Sequence, residues 1–159
     1  MYVDANNLYG LAMSQSLPIS DYKWGEVENF NLDTMNDNEN KGYFVECDLE
    51  YPKELHENHK DYPLAPETMK ITSDMLSAWA KTQKETLNIK GANVQKLCQT
   101  FLDKEKYICH SKNLEFYIKQ GLKVKKIHRV LSFTQKPWLK QYIDLNTELP
   151  LYQVSPFGF

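Results

Sequence analysis

Gly42-Tyr-Phe-Val-Glu-Cys-Asp-Leu-Glu50 alternates side chains with a period of two. Tyr43, Val45, Cys47 and Leu49 fall on one face, and Glu46, Asp48 and Glu50 on the other. This is the pattern of an antiparallel strand with one face buried and one in water. Three acids in a row of this kind invite comparison with a metal cluster, yet a solvated strand face accounts for them without an ion.

Reading outward, residues 1–5 have strand propensity and lead into a helix over 7–15 that ends near Leu17-Pro18. Residues 22–27 read as a short strand, and the Asn- and Asp-rich stretch 29–40 as a short helix and loop. A short helix is possible over 53–59. Ser73 is placed to cap a helix running to about Leu87, with Met75, Leu76 and Trp79 inward. Residues 88–93 read as a loop. Residues 96–102 and 106–110 are expected to form a hairpin about Asp103-Lys-Glu105, after which Ser111 caps a helix through Gln120 and Gly121 stops it. A long strand over 123–133 precedes a helix that begins at Pro137. The order predicts an α+β fold in which strands from both ends of the chain meet in one antiparallel sheet.

At 159 residues, 42% hydrophobic and 13% aromatic, the chain is one domain's worth of sequence with a core of modest size. It contains no apolar run of membrane-spanning length and no basic-then-apolar leader, so an intracellular protein with no membrane partner is expected. Cys47, Cys98 and Cys109 are odd in number and lack C-x-x-C spacing, which points to buried free thiols in a reducing compartment. His56 and His59 stand three apart, a spacing that binds metal on a helix, but no Cys or further His pair accompanies them nearby.

A net charge of −2 hides an asymmetry. Residues 21–67 hold thirteen Asp and Glu against four Lys, whereas residues 116–143 hold seven Lys and Arg and no acid. The basic half is the better nucleic-acid candidate, with Lys123, Lys125, Lys126 and Arg129 in its strand. Its aromatic interleaving is sparse, and a solvated basic face is the competing reading.

Met1-Tyr-Val-Asp-Ala-Asn-Asn-Leu-Tyr-Gly10 sets Asp4 at a strand-to-helix corner. The first N–H groups of a helix have no internal partner and favour phosphate oxygens, and a carboxylate beside them can hold the Mg²⁺ that phosphates carry. The apolar face of that helix is expected to be Leu8, Leu11 and Ala12. The plainer reading makes Asp4 a turn residue, Asn6 and Asn7 ordinary caps, and Tyr9 a core aromatic.

The string Asp4-x-x-Asn7-Leu8-Tyr9-Gly10 resembles the first palm motif of family B DNA polymerases, and most closely the protein-primed branch of linear plasmids, adenoviruses and Maverick/Polinton-type transposons. Three further segments, 42–52, 61–67 and 125–133 followed by 137–144, are similar in order to the transposon-type enzymes. The resemblance implies a partial polymerase palm, an antiparallel sheet with helices and a long insertion. Residues 1–19 would be the first palm motif, 20–105 an insertion similar to the region that contacts the terminal protein, 106–148 palm elements leading to the fingers, and 149–159 an atypical tail. It also implies two Mg²⁺ ions, with Asp4 a ligand of both and the Ala5 carbonyl touching one. The amides about Asn7 and Leu8 would hold a dNTP triphosphate, and Tyr9 would lie under the sugar as the gate against a 2′-hydroxyl. The implied partners are a DNA primer-template, dNTP and a priming terminal protein.

Two departures lie inside the motif, where Asn7 and Gly10 replace the usual Ser and Pro; a backbone contact survives both. A larger one lies elsewhere. The family's fingers string Lys-x-x-x-Asn-Ser-x-Tyr-Gly and palm string Asp-Thr-Asp do not occur here, and Pro150, Pro156 and Gly158 suit no helix after Glu148. The expectation is a truncated, frameshifted or spliced piece of a polymerase, inactive alone. A non-catalytic DNA- or protein-binding remnant and an unrelated metal-dependent nuclease or phosphotransferase are the other readings.

Overall fold

A computed structural model describes residues 8–89 and 95–148. Four helices are present among them: α1 (Leu8–Met13), α2 (Ala78–Thr86), α3 (Ser111–Lys119) and α4 (Lys140–Glu148). The strands are β1 (Leu17–Gly25), β2 (Lys41–Glu50), β3 (Glu67–Lys70), β4 (Gln95–Cys98), β5 (Lys104–His110) and β6 (Lys123–Lys136). β1, β6, β2 and β5 make a four-stranded antiparallel sheet in that order, and β3 pairs with β4 in a second antiparallel sheet. The fold is α+β; the strand that pairs with β6 is β1, while the strand expected over 1–5 lies outside the described residues. The chain divides into two compact units: the described residues of Met1–Glu46, Ile108–Leu114 and Ile127–Phe159, and those of Cys47–Tyr107 and Glu115–Lys126.

In the first unit, β1 pairs with β6 from Leu17↔Lys136 to Gly25↔Val130. The strand starts earlier than residue 22 because Leu17 and Pro18 continue as an edge strand, a position where proline's missing N–H costs no ladder bond. Register shifts fall between Pro18 and Ser20 and between Ser20 and Lys23. Asp21 takes up the second with φ +58, a left-handed conformation that Asp tolerates better than most residues. Its Oδ2 accepts the hydroxyls of Thr134 at 2.7 Å and Ser20 at 2.8 Å, which pins the irregular strand to β6. The core of this unit holds Met35, Val45, Leu114, Val130 and Phe133. α1 packs near α4, and Gly10 is its buried residue. Leu8, Leu11 and Ala12 are exposed among the described residues, contrary to the expected apolar face.

In the second unit, Tyr51 is the centre of packing, at 4% exposure. Its hydroxyl accepts the Leu64 N–H at 3.1 Å and lies 2.7 Å from Nδ1 of His59, while its own N–H donates to Asp103 at 2.8 Å. His56 stacks on Phe101 at 4.4 Å and 13°. The two histidines are thus parts of an aromatic cluster around Tyr51, and that explains their spacing without a metal. Lys104, 1% exposed, donates to Glu67 at 2.9 Å and to the Thr100 hydroxyl at 2.7 Å. Gly121, at φ +100, ends α3: its N–H bonds to the Ile118 carbonyl and that of Leu122 to Tyr117, satisfying two terminal carbonyls.

Three expectations need correction. The helix capped at Ser73 is a single 3₁₀ turn over Ser73–Met75; Ser77 is the cap, accepting the Ala80 N–H at 3.2 Å, and Met75 and Trp79 are exposed. Residues 96–102 and 106–110 do not pair as a hairpin, because β4 joins β3 while β5 enters the larger sheet. Asp103, the supposed turn residue, is instead tied to Tyr51. Ser111 begins α3 but turns its hydroxyl to Oδ1 of Asn36 at 2.7 Å. Cys47, Cys98 and Cys109 are free thiols; Cys47 and Cys109 are buried as expected, whereas Cys98 on the short strand β4 is half-buried.

Candidate functional site

Asp4, Ala5 and Asn7 lie outside the described residues. Leu8 and Tyr9 open α1, 60% and 87% exposed respectively. The Tyr9 ring is thus exposed and takes no part in the core of the described residues.

β2 carries its acids differently from a solvated face. Glu46 is buried and bonded to Nε of Arg129 on β6. Asp48 accepts the Lys106 N–H at 2.8 Å, and Glu50 holds Nζ of Lys125 at 2.6 Å. Each carboxylate is matched by a donor from a neighbouring strand, the arrangement of a strand flanked on both sides. Among the described residues no group of three or more His, Cys, Asp or Glu is placed to hold a metal ion.

These pairings sort the four basic candidates. Lys125 is engaged by Glu50, which raises its pKa by hydrogen bonding and charge at the surface. The Arg129 guanidinium sits between Glu46 and the Trp24 ring, 5.5 Å from its centroid. Lys123 and Lys126 are exposed, with no carboxylate partner among the described residues.

The first unit also contains a recess that the sequence did not disclose. Its volume is about 230 Å³, and Trp24, Phe44, Glu46, Ile108, Arg129 and Leu131 line it. Four of those are apolar, and the other two are the paired Glu46 and Arg129. Phe44 and Glu46 share the β2 face that was read as wet, so the signal available was Phe44 standing among the acids.

Comparison with protein-family models, with curated proteins and with solved structures found no match.

Proposed function

We propose that the chain is part of a protein-primed, family B type DNA-directed DNA polymerase, with the first half of its nucleotide site at residues 4–9. The observation that carries this reading is the ordered run of four segments, headed by Asp4-x-x-Asn7-Leu8-Tyr9-Gly10. The exposure of Tyr9 at the start of α1 supports it, since a sugar gate must be reachable by substrate. Its ring excludes a 2′-hydroxyl by occupying the space that one extra oxygen needs. The amides about Asn7 and Leu8 hold phosphate oxygens.

Two Mg²⁺ ions supply activation of the primer 3′-oxygen and neutralisation of the leaving pyrophosphate in such enzymes. One carboxylate and one carbonyl, Asp4 and Ala5, fall short of the oxygen donors that two ions require. No catalytic step is assigned to this chain by itself, and a priming protein and primer-template are the partners in the complete enzyme.

One observation favours a second reading, a non-catalytic binding module: Trp24 and Ile108 stand 68% and 62% exposed beside the recess. Sequencing the DNA that flanks the coding segment separates the two. The polymerase reading expects a continuous frame that reaches Lys-x-x-x-Asn-Ser-x-Tyr-Gly and then Asp-Thr-Asp; a genomic locus lacking both strings contradicts it.

A further inference from the structure

His110 is the last residue of β5 and stands immediately before α3. Its Nδ1 accepts the backbone N–H of Lys112 at 3.1 Å. That N–H belongs to the first turn of a helix, where the backbone has no internal acceptor, so the imidazole takes the part usually given to Ser, Asp or Asn. An accepting Nδ1 assigns the ring proton to Nε2 and the ring to its neutral form.

The surroundings resist a charge on this ring. Phe44 meets it edge-on at 5.7 Å and 89°, and Phe133 lies 5.6 Å away. Nε2 is buried, as is Oε1 of Gln135, and neither makes a hydrogen bond of good geometry. The Gln135 side chain is near enough to favour the charged ring, but burial outweighs it, and the Lys112 ammonium acts in the same direction as burial. Those effects hold the His110 pKa below its ordinary 6.5. From α3 the facing charge is Lys112. β2 presents Phe44, with Glu46 further along the strand and bound to Arg129, and β6 presents Phe133 and Gln135.

We propose that His110 is a proton-operated cap: the neutral imidazole holds the first turn of α3 closed, and protonation opens it. A proton on Nδ1 removes the lone pair that accepts the Lys112 N–H and sets a donor against a donor. It also places a positive charge at the positive end of the helix. The turn it releases carries Ser111 and Leu114, both 0% exposed, and the Ser111 hydroxyl bond to Asn36 at 2.7 Å.

The sign follows from the lowered pKa. The unfolded chain takes up the proton near pH 6.5 and the closed turn only at lower pH, so the contribution of the cap is complete above 6.5. It falls as pH drops from there to the pKa of the closed form.

Amide hydrogen exchange of residues 111–114, corrected for intrinsic rates, tests this at pH 7.5 and pH 5. Opening is expected to rise roughly fivefold at the lower pH, the population change that loss of one N-cap brings. In His110→Asn, which keeps an acceptor but cannot titrate, the ratio should stay near one. A flat wild-type profile, or an equal rise in His110→Asn, overturns the proposal. If that variant does not fold, NMR titration of the wild type decides: the His110 ring and the Lys112 amide should share one midpoint below 6.5. A His110 midpoint at or above 6.5, or a Lys112 amide indifferent to it, overturns the proposal as well.

Discussion

Gly42 of β2 lies against the Phe133 ring of β6 so closely that no β-carbon fits between them, and the Gln135 side chain closes the same space. Phe133 and Gln135 are each 2% exposed, so neither can swing into solvent to make room. Gly42→Ala should therefore destabilise by about 1–3 kcal/mol, the usual cost of overpacking. Gly25 is a fair control, because an added β-carbon there meets Val130 at an ordinary 3.7 Å. Urea unfolding should show a lower midpoint for Gly42→Ala with an unchanged slope, and little change for Gly25→Ala.

Lys104 illustrates a buried cation whose value lies in its partner. Glu67→Ala leaves the ammonium with Thr100 alone, and should cost about 3 kcal/mol. Adding Lys104→Met removes the stranded charge and should restore much of the loss. Thermal unfolding of the two single variants and the double variant measures this coupling; additive losses would contradict it.

Asp21 sets an acid limit. The hydroxyls of Thr134 and Ser20 hold its carboxyl below the usual carboxylate value, and the group is fully exposed. A lowered folded pKa means that its contribution is present above about pH 4 and is lost as pH falls through the folded value. Asp21→Asn should flatten that part of the stability profile, leaving the two proteins closer at pH 2.5 than at pH 6.

How far these features could be read beforehand differs by element. β2 was legible because Val45, Cys47 and Leu49 are buried together on one face. Its other face was misread as wet because alternation reports polarity but not pairing, and Arg129 stands eighty-three residues from Glu46 in sequence. The hairpin at 96–110 failed for the same reason: the partners that decided it, β3 for β4 and Tyr51 for Asp103, are distant in the chain. Ser73 and Ser77 are equivalent caps by local rules, and only the structure chooses between them. Of the candidate site, the exposure of Tyr9 is described, while Asp4, Ala5 and Asn7 lie outside the described residues.

The basic strand yields a prediction for the binding-module reading. Lys125 must leave Glu50 to meet a phosphate, whereas Lys123 and Lys126 face solvent. If DNA binds here, Lys123→Ala with Lys126→Ala should weaken it more than Lys125→Ala. The slope of log affinity against log salt should also fall by about 0.9 for each phosphate that is no longer neutralised. Fluorescence anisotropy over a salt series reads both, and equal weakening by the two variants would count against this sorting.

Tyr9 should control sugar choice in a complete enzyme. Tyr9→Val is expected to raise ribonucleotide incorporation with little change in dNTP use, because the gate works by volume. Single-nucleotide insertion with matched rNTP and dNTP measures the ratio, and an unaltered preference would remove Tyr9 from that role.

The most direct test of the central claim is primer extension with Mg²⁺ by the product of the extended reading frame, by its Asp4→Ala variant and by these 159 residues alone. The account predicts synthesis by the first and none above background by the other two. Undiminished synthesis by Asp4→Ala, or extension by the 159-residue chain alone, would contradict it.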